Sequence, residues 1–446
     1  MINIFIFRRD LRINDNISLN KLKNTYPNIK ILPIFIFNKN QIEPSRNPYF
    51  SSNSFEFMCD SLLEIPSLNC YLTDNDLSIL KELKSKFKIN AIAFNLDFTP
   101  YAIKRDNAII EWCRINKIDV IHDEDYTLHK IGTIVKNDLT PYQKFTPFYK
   151  KGLLIKPPAI SNEEFDFIKD PLTTINPSSL IKIRNPDLKV KGGRENGLKI
   201  LKKLKDGDFD NYDEDREYPY LDKTTKLSAY IKFGCVSVRE VYFCLPIKHG
   251  IIRELFWKDF YANITYHFPY IFGNTFLKKY SNIKWDVNEE FFKRWKEGLT
   301  GFPLIDASMR QLNKTGWMHN RCRMLVSCFL VKNLYLDWRL GEKYFATKLV
   351  DYDPSSNNGG WQWSSSTGTD SQAYYRIFSP TAQLKKYDKE CLFIKKWVDE
   401  LKDVDNKTII NWETKNDKEI NYPKPMIDIK KSSQKFIANF KKVSSL

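Results

Sequence analysis

The sequence predicts a doubly wound, parallel-sheet α/β domain of Rossmann-like type followed by an all-α domain. Two observations predict it. In the first third, short β-branched and aromatic runs alternate with helically spaced segments, as in strands joined by crossover helices. After "GGRENG" (Gly192 to Gly197) the apolar spacing turns helical almost to the end. The expected layout is an α/β domain over 1–130, a connector over 131–190 and a helical domain over 191–446.

Taken in order, the expected strands are Ile2 to Phe7, Ile31 to Phe37, Ala91 to Phe94 and Asp119 to His122, with a helix at Leu77 to Phe87. No glycine precedes Gly132. A GxGxxG fingerprint and a P-loop are therefore both excluded from the first domain. Between Pro141 and Pro186 there are seven prolines, and periodicity fades, so this stretch reads as a connector packed across the surface. Helical runs follow at Gly197 to Leu204, Ser237 to Leu245, Glu254 to Tyr266 and Trp317 to Leu330. The stretch "NNGGWQWSSSTGTD" (Asn357 to Asp370) suits neither an amphipathic helix nor an ordinary strand, and irregular backbone is expected there.

The 446 residues carry 70 Lys+Arg against 54 Asp+Glu, a net charge of +16. The excess lies mostly after residue 150, which points to an anionic partner on the C-terminal two thirds or to a lysine-rich solvated surface. Eight cysteines are scattered without CxxC pairs or metal-ligand spacing, so no metal site is expected and the chain reads as a reduced intracellular protein. The longest apolar run, Met324 to Val331, is far short of the ~20 residues of a membrane span. Arg8, Arg9 and Arg12 interrupt the N-terminus too early for a secretory segment. A soluble, unprocessed chain is expected.

Nine of the ten tryptophans fall after residue 250. Glu254 and Trp257, three apart on one helix, share a face; they could line a pocket, or be a surface acid beside a core indole. "GWMHNRCRM" sets Trp317, Asn320, Arg321 and Arg323 within two turns, and "DYD" supplies Asp351, Tyr352 and Asp353. Buried together, such groups need polar partners.

"FRRDLRINDN" (Phe7 to Asn16), "TTKLSAYIKFGCVSVRE" (Thr224 to Glu240), "GFPLIDASMRQLNKTGWMHNRCRM" (Gly301 to Met324), "DYDPSSNNGGWQWSSSTGTD" and "YYRIFSPTAQ" (Tyr374 to Gln383) resemble the photolyase/cryptochrome family. More narrowly they resemble class I cyclobutane pyrimidine dimer photolyases. The likeness runs from about residue 2 to "YPKPMID" at Tyr422 to Asp428.

That resemblance implies an FAD enzyme that splits thymine dimers in UV-damaged DNA with blue or near-UV light. Residue by residue, it assigns Tyr212, Thr224, Thr225, Lys226, Leu227 and Ser228 to the flavin's phosphates and ribityl chain. Arg323 and Asp351 would pair at the isoalloxazine edge with Tyr352 and Asn320 near by, Asp353 would bond the ring, and Asn357 would face N5. Gly359 and Gly360 would let the backbone approach that ring. Trp361, Trp338 and Trp285 would form an electron-hopping chain to the surface. Trp257 and Trp363 would wall the lesion pocket, where Glu254, shielded by the indole, and Asn320 would hydrogen-bond the dimer. Arg216, Arg321 and Arg376 would hold DNA phosphates.

Repair of (6-4) photoproducts normally goes with histidines where Asn320 and Met324 stand. Plant-type cryptochrome photoreceptors carry Asp in place of Asn357 and often long tails. A light-independent DNA-binding role would need an empty flavin site. Folate-binding relatives place an acidic residue about where Ala102 falls, so methenyltetrahydrofolate, a deazaflavin or no antenna all stay open. A monomer is expected.

Overall fold

The computed structural model describes residues 1–170 and 174–444. Pro171, one of the connector's prolines, lies outside the described residues.

Five parallel strands, β1 (Ile2–Phe7), β2 (Ile31–Asn38), β3 (Asn69–Thr73), β4 (Ile89–Asn95) and β5 (Asp119–Asp123), form one sheet in the order β3-β2-β1-β4-β5. Every residue of β1 is buried, which suits its position between β2 and β4 with helices on both faces. β3 was not anticipated. Its "NCYLT" is short and half polar, and it joins the sheet through backbone pairing with β2 from Ile34↔Asn69 onward. Pro33, which has no N–H to give, lies just outside that ladder. The chain order reverses at β1, between β2 and β4, the point where α/β sheets open a crevice at their carboxyl ends.

Beyond the connector the chain is helical. Five helices matter for the site: α1 (Gly250–His267), α2 (Asn320–Cys328), α3 (Trp338–Lys348), α4 (Pro354–Ser365) and α5 (Ile429–Ser444). A π-helical turn, Phe329–Asn333, closes α2.

α4 corrects the expectation of irregular backbone. "PSSNNGGWQWSS" is a regular helix, started by Asp353, whose side chain accepts from Ser356 N, with Pro354 in the first turn. Its low intrinsic propensity is offset by packing against α1 and α3. A Cβ on Gly359 would sit 2.2 Å from the Tyr261 ring of α1, and one on Gly341 of α3 would sit 2.0 Å from Trp361.

The two domains are tied by backbone as well as charge. Leu11 N donates to Phe233 O at 2.9 Å, and Gly234, at φ +65, lets the chain pass against Arg9 and Asp10, where a Cβ would lie 2.4 Å from a carbonyl oxygen. Beneath that contact Arg12 pairs with Asp125, and Arg239 with both Asp15 and Asp125.

Candidate active site and nucleic-acid interface

The polar core of the helical domain is built around Asp351. Arg323, on α2, reaches its two oxygens at 3.1 and 2.9 Å, and Ser228 Oγ donates to it at 2.6 Å. Arg323 Nε also donates to Met318 O at 2.8 Å, which fixes the guanidinium plane. Two residues from separate sequence motifs thus converge on one carboxylate.

Ser228 belongs to a short helix opened by Lys226 in the left-handed region, φ 56. Lys226 Nζ donates to Asp222 O and Thr224 O and pairs with Asp222. Burial lowers its pKa against that pairing. Thr225 Oγ1 accepts from Leu227 N, whereas Thr224 Oγ1 is buried without a partner. Tyr212 lies near Arg216 and Glu254, and its hydroxyl pKa is pushed up by burial and the Glu254 charge.

Asn357, on α4, donates its amide nitrogen twice to Glu342 of α3, to the backbone carbonyl at 3.0 Å and to Oε1 at 2.9 Å. This leaves the amide oxygen as the acceptor it can offer a ligand. Burial pushes the Glu342 carboxyl up to about 7, with the Asn357 bond opposing. Nothing in the sequence signalled Glu342, because its partner is fifteen residues away on another helix.

Asp353 has a different set of partners from a ring ligand. Oδ1 caps α4, and Oδ2 accepts from Arg9 at 2.7 Å and from Tyr126 at 2.6 Å, both in the α/β domain. Burial opposes its ionisation, but Arg9 and these hydrogen bonds outweigh burial and hold the carboxyl well below its usual range. Tyr352 stacks at 6.5 Å on Tyr49, and both line a cavity between the two domains. Gly359 serves the contact with Tyr261, while a Cβ on Gly360 would meet nothing within 4 Å.

Trp361 and Trp363 are two residues apart on α4, about 200° around the axis, and so leave opposite faces. Trp361 is buried edge-on against Phe345 at 5.0 Å and Trp295 at 6.1 Å. Trp363 is half-buried. Trp338 is fully buried with its indole N–H unpaired, and Trp285 packs at 5.3 Å on Tyr335. Trp295, which the sequence did not single out, joins this aromatic group.

On α1, Trp257 stacks on Phe145 of the connector at 3.6 Å, the rings nearly parallel, and at 5.7 Å on Tyr261. Glu254, one turn earlier, accepts from Arg216 at 2.5 Å. An arginine therefore faces Glu254 where an apolar shield was expected. Arg321 pairs with Glu217 and lies 3.8 Å over the Tyr387 ring. Asn320 is exposed, its amide 3.8 Å from Met324 sulfur. Among the described residues Arg376 alone of the three expected phosphate contacts has no ion-pair partner, and it is exposed.

The cavity between the domains, of about 680 Å³, opens at the carboxyl ends of β1 and β2. Arg8, Arg9, Arg105 and Lys232 line it with Asp76 and Asp97, and Glu342 and Asn358 of the helical domain complete the lining. Burial and the nearby Arg9 lower the Lys232 ammonium to about 7. Ala102 is buried and supplies no carboxylate. No group of three or more His, Cys, Asp or Glu capable of holding a metal exists among the described residues.

The partnerless Thr224 hydroxyl and His319 Nε2, the outward amide oxygen of Asn357 and the open space at Gly360 fit a polar, ring-bearing cofactor in the helical domain. The comparisons agree with that fit. Residues 251–442 match the FAD-binding domain of DNA photolyase, and residues 3–163 match the DNA photolyase domain. A deoxyribodipyrimidine photo-lyase of Buchnera aphidicola is 33% identical across 98% of this chain and 96% of its own. One from Alkalihalophilus pseudofirmus is 31% identical across 98% and 97%. An archaeal photolyase structure from Sulfolobus tokodaii superposes with a TM-score of 0.87 at 38% identity, covering 99% of this chain and all of that one. A class III photolyase from Agrobacterium tumefaciens gives 0.90 at 26% identity, covering 100% and 98%. With both halves matched in order and whole-length relatives above 30% identity, the chain belongs to the DNA photolyase family.

Proposed function

We propose that this chain is a light-driven DNA repair enzyme that splits cyclobutane pyrimidine dimers with FAD bound in its helical domain. The observation that carries the reading is the meeting of Arg323, Asp351 and Ser228 beside an Asn357 locked by Glu342. When bound, FAD supplies the light-absorbing ring and the electron that opens the cyclobutane, chemistry that belongs to the cofactor.

The protein's own groups hold, orient and exclude. Thr224, Thr225, Lys226, Leu227 and Ser228, with Tyr212, are suited to the phosphate and ribityl end, and Arg323 and Asp351 to the ring edge. Asn357 offers an uncharged acceptor to a ring N–H. Trp257, backed by Phe145, and Trp363 form the stacking walls for a dimer, which costs less to flip than an intact base because it is already poorly stacked and paired. Glu254, anchored by Arg216, and Asn320 offer hydrogen bonds to the flipped bases. Arg376, exposed and unpaired, holds phosphate without reading sequence. Arg321 and Arg216, each neutralised by a glutamate, act mainly as scaffolding for that surface. Trp361, Trp338 and Trp285 run from buried to half-buried positions and connect the cofactor site with the surface. The enzyme works as a monomer inside the cell, where its DNA and its eight free cysteines belong.

The interdomain cavity supports a second chromophore. Its lining mixes Arg8, Arg9, Arg105 and Lys232 with Asp76, Asp97 and Glu342. The cations suit a phosphate-bearing flavin or deazaflavin, while Ala102 offers no acid where folate-binding relatives place one. The Sulfolobus tokodaii photolyase is described with two FAD molecules, with the implication of a novel light-harvesting cofactor. Light-dependent loss of the dimer from a defined oligonucleotide, with a dark control, tests the main reading.

A further inference from the structure

Lys332 is fully buried, in the π-helical turn Phe329–Asn333. Its Nζ donates to the backbone carbonyl of Arg376 at 2.8 Å. Phe436 of α5 lies under the ammonium at 5.7 Å, and the next residue, Asn333, is tied to α5 through Ser432 and Ser433. The segment around Arg376 is held in the same way on either side. Tyr374 stacks on Phe440 at 5.4 Å, and Ile377 and Phe378 pack on the apolar core of the helical domain. Only the side chains of Tyr375 and Arg376 leave this base for solvent.

A buried ammonium is costly. No carboxylate pairs with Lys332 among the described residues, and burial pushes its pKa down to about 8, with the Cys328 thiol opposing. For fold stability alone, an apolar residue of similar length would serve as well or better. What the lysine adds is a fixed, charge-assisted hydrogen bond to one carbonyl. We propose that Lys332 is a positioning residue for DNA binding: it pins the Arg376 backbone so that the exposed guanidinium is presented to a phosphate in one place. This rests on the reading of Arg376 as a phosphate contact.

The test uses the flavin-loaded full chain and the variants Lys332→Met, Lys332→Gln, Arg376→Ala and the double variant Lys332→Met/Arg376→Ala. Affinity for dimer-containing and undamaged duplexes is measured at several salt concentrations, together with thermal stability and the rate of trypsin cleavage after Arg376. Lys332→Met is expected to keep or raise the melting temperature, weaken both duplexes alike and lower the salt slope by about one, as loss of one phosphate contact does. The double variant should bind no more weakly than Arg376→Ala, within about twofold. Lys332→Gln, which keeps a donor, should recover part of the loss, and cleavage after Arg376 should be faster in Lys332→Met. Losses that add in the double variant, or wild-type binding by Lys332→Met, overturn the proposal and leave Arg376 as a contact. If Arg376→Ala itself binds like wild type, the phosphate reading fails and the proposal with it. Should Lys332→Met not fold, Lys332→Gln gives the same comparison.

Discussion

Arg323 and Asp351 depend on each other. The guanidinium is held by Met318 O and both Asp351 oxygens, so Arg323→Leu leaves a buried carboxylate with only Ser228. Flavin content per chain should then fall to near zero, and a fully loaded Arg323→Leu protein would contradict the site. These residues were legible because they sit in long ordered motifs that resemble a family. Glu342 was not. Its role comes from two helices crossing, and a lone glutamate in "RLGEKYF" carries no sign of that. The family resemblance assigned Asp353 to the ring, whereas the structure turns it to Arg9 and Tyr126, which lie over 200 residues away in the chain. Sequence spacing cannot show which of two neighbouring aspartates turns toward the other domain.

The helix α4 shows how element-scale expectations fail. Two glycines, paired asparagines and a serine run argue against a helix by propensity. The start signal was present all the same, an Asp followed by Pro at "DYDP", and tertiary packing decided the rest. Gly359 is there for the close approach of α1, and the same logic applies to Gly341 on α3 against Trp361. Gly341→Ala would drive a Cβ to 2.0 Å from Trp361 and 2.7 Å from Leu330. The expected cost is about 1–3 kcal/mol of stability, as for other overpacked cores. Chemical denaturation checks it, and an unchanged midpoint would mean that the Trp361 ring moves aside freely. Strands and helices of the α/β domain were legible where alternation was strong. β3 was lost because an edge strand of five residues, half of it polar, resembles a loop.

At the scale of the whole molecule, the two domains are joined by Arg9–Asp353–Tyr126 and by the buried Arg12, Asp15, Asp125 and Arg239 network. Asp353 has a depressed folded pKa, so its stabilisation is fully present above the unfolded value of about 4 and is lost as pH falls through the lower folded value. Asp353→Asn should cost about 3–5 kcal/mol, typical of a broken buried pair. The variant's stability should also fall less steeply than wild type in acid; parallel curves would remove Asp353 from the domain brace. The DNA face combines stacking and charge. Trp363→Ala should weaken binding of dimer-containing DNA by roughly 1–3 kcal/mol, about ten- to a hundredfold, with undamaged DNA almost unaffected. Equal losses on both duplexes would make Trp363 scaffold. The central claim is light-driven splitting of the cyclobutane dimer. It is tested most directly by giving the reduced, FAD-loaded enzyme defined oligonucleotides carrying a cyclobutane thymine dimer or a (6-4) photoproduct, side by side, in blue light and in darkness. The account expects restoration of the cyclobutane substrate in light only and none of the (6-4) substrate; dimers left intact in light, or repaired equally in the dark, would contradict it.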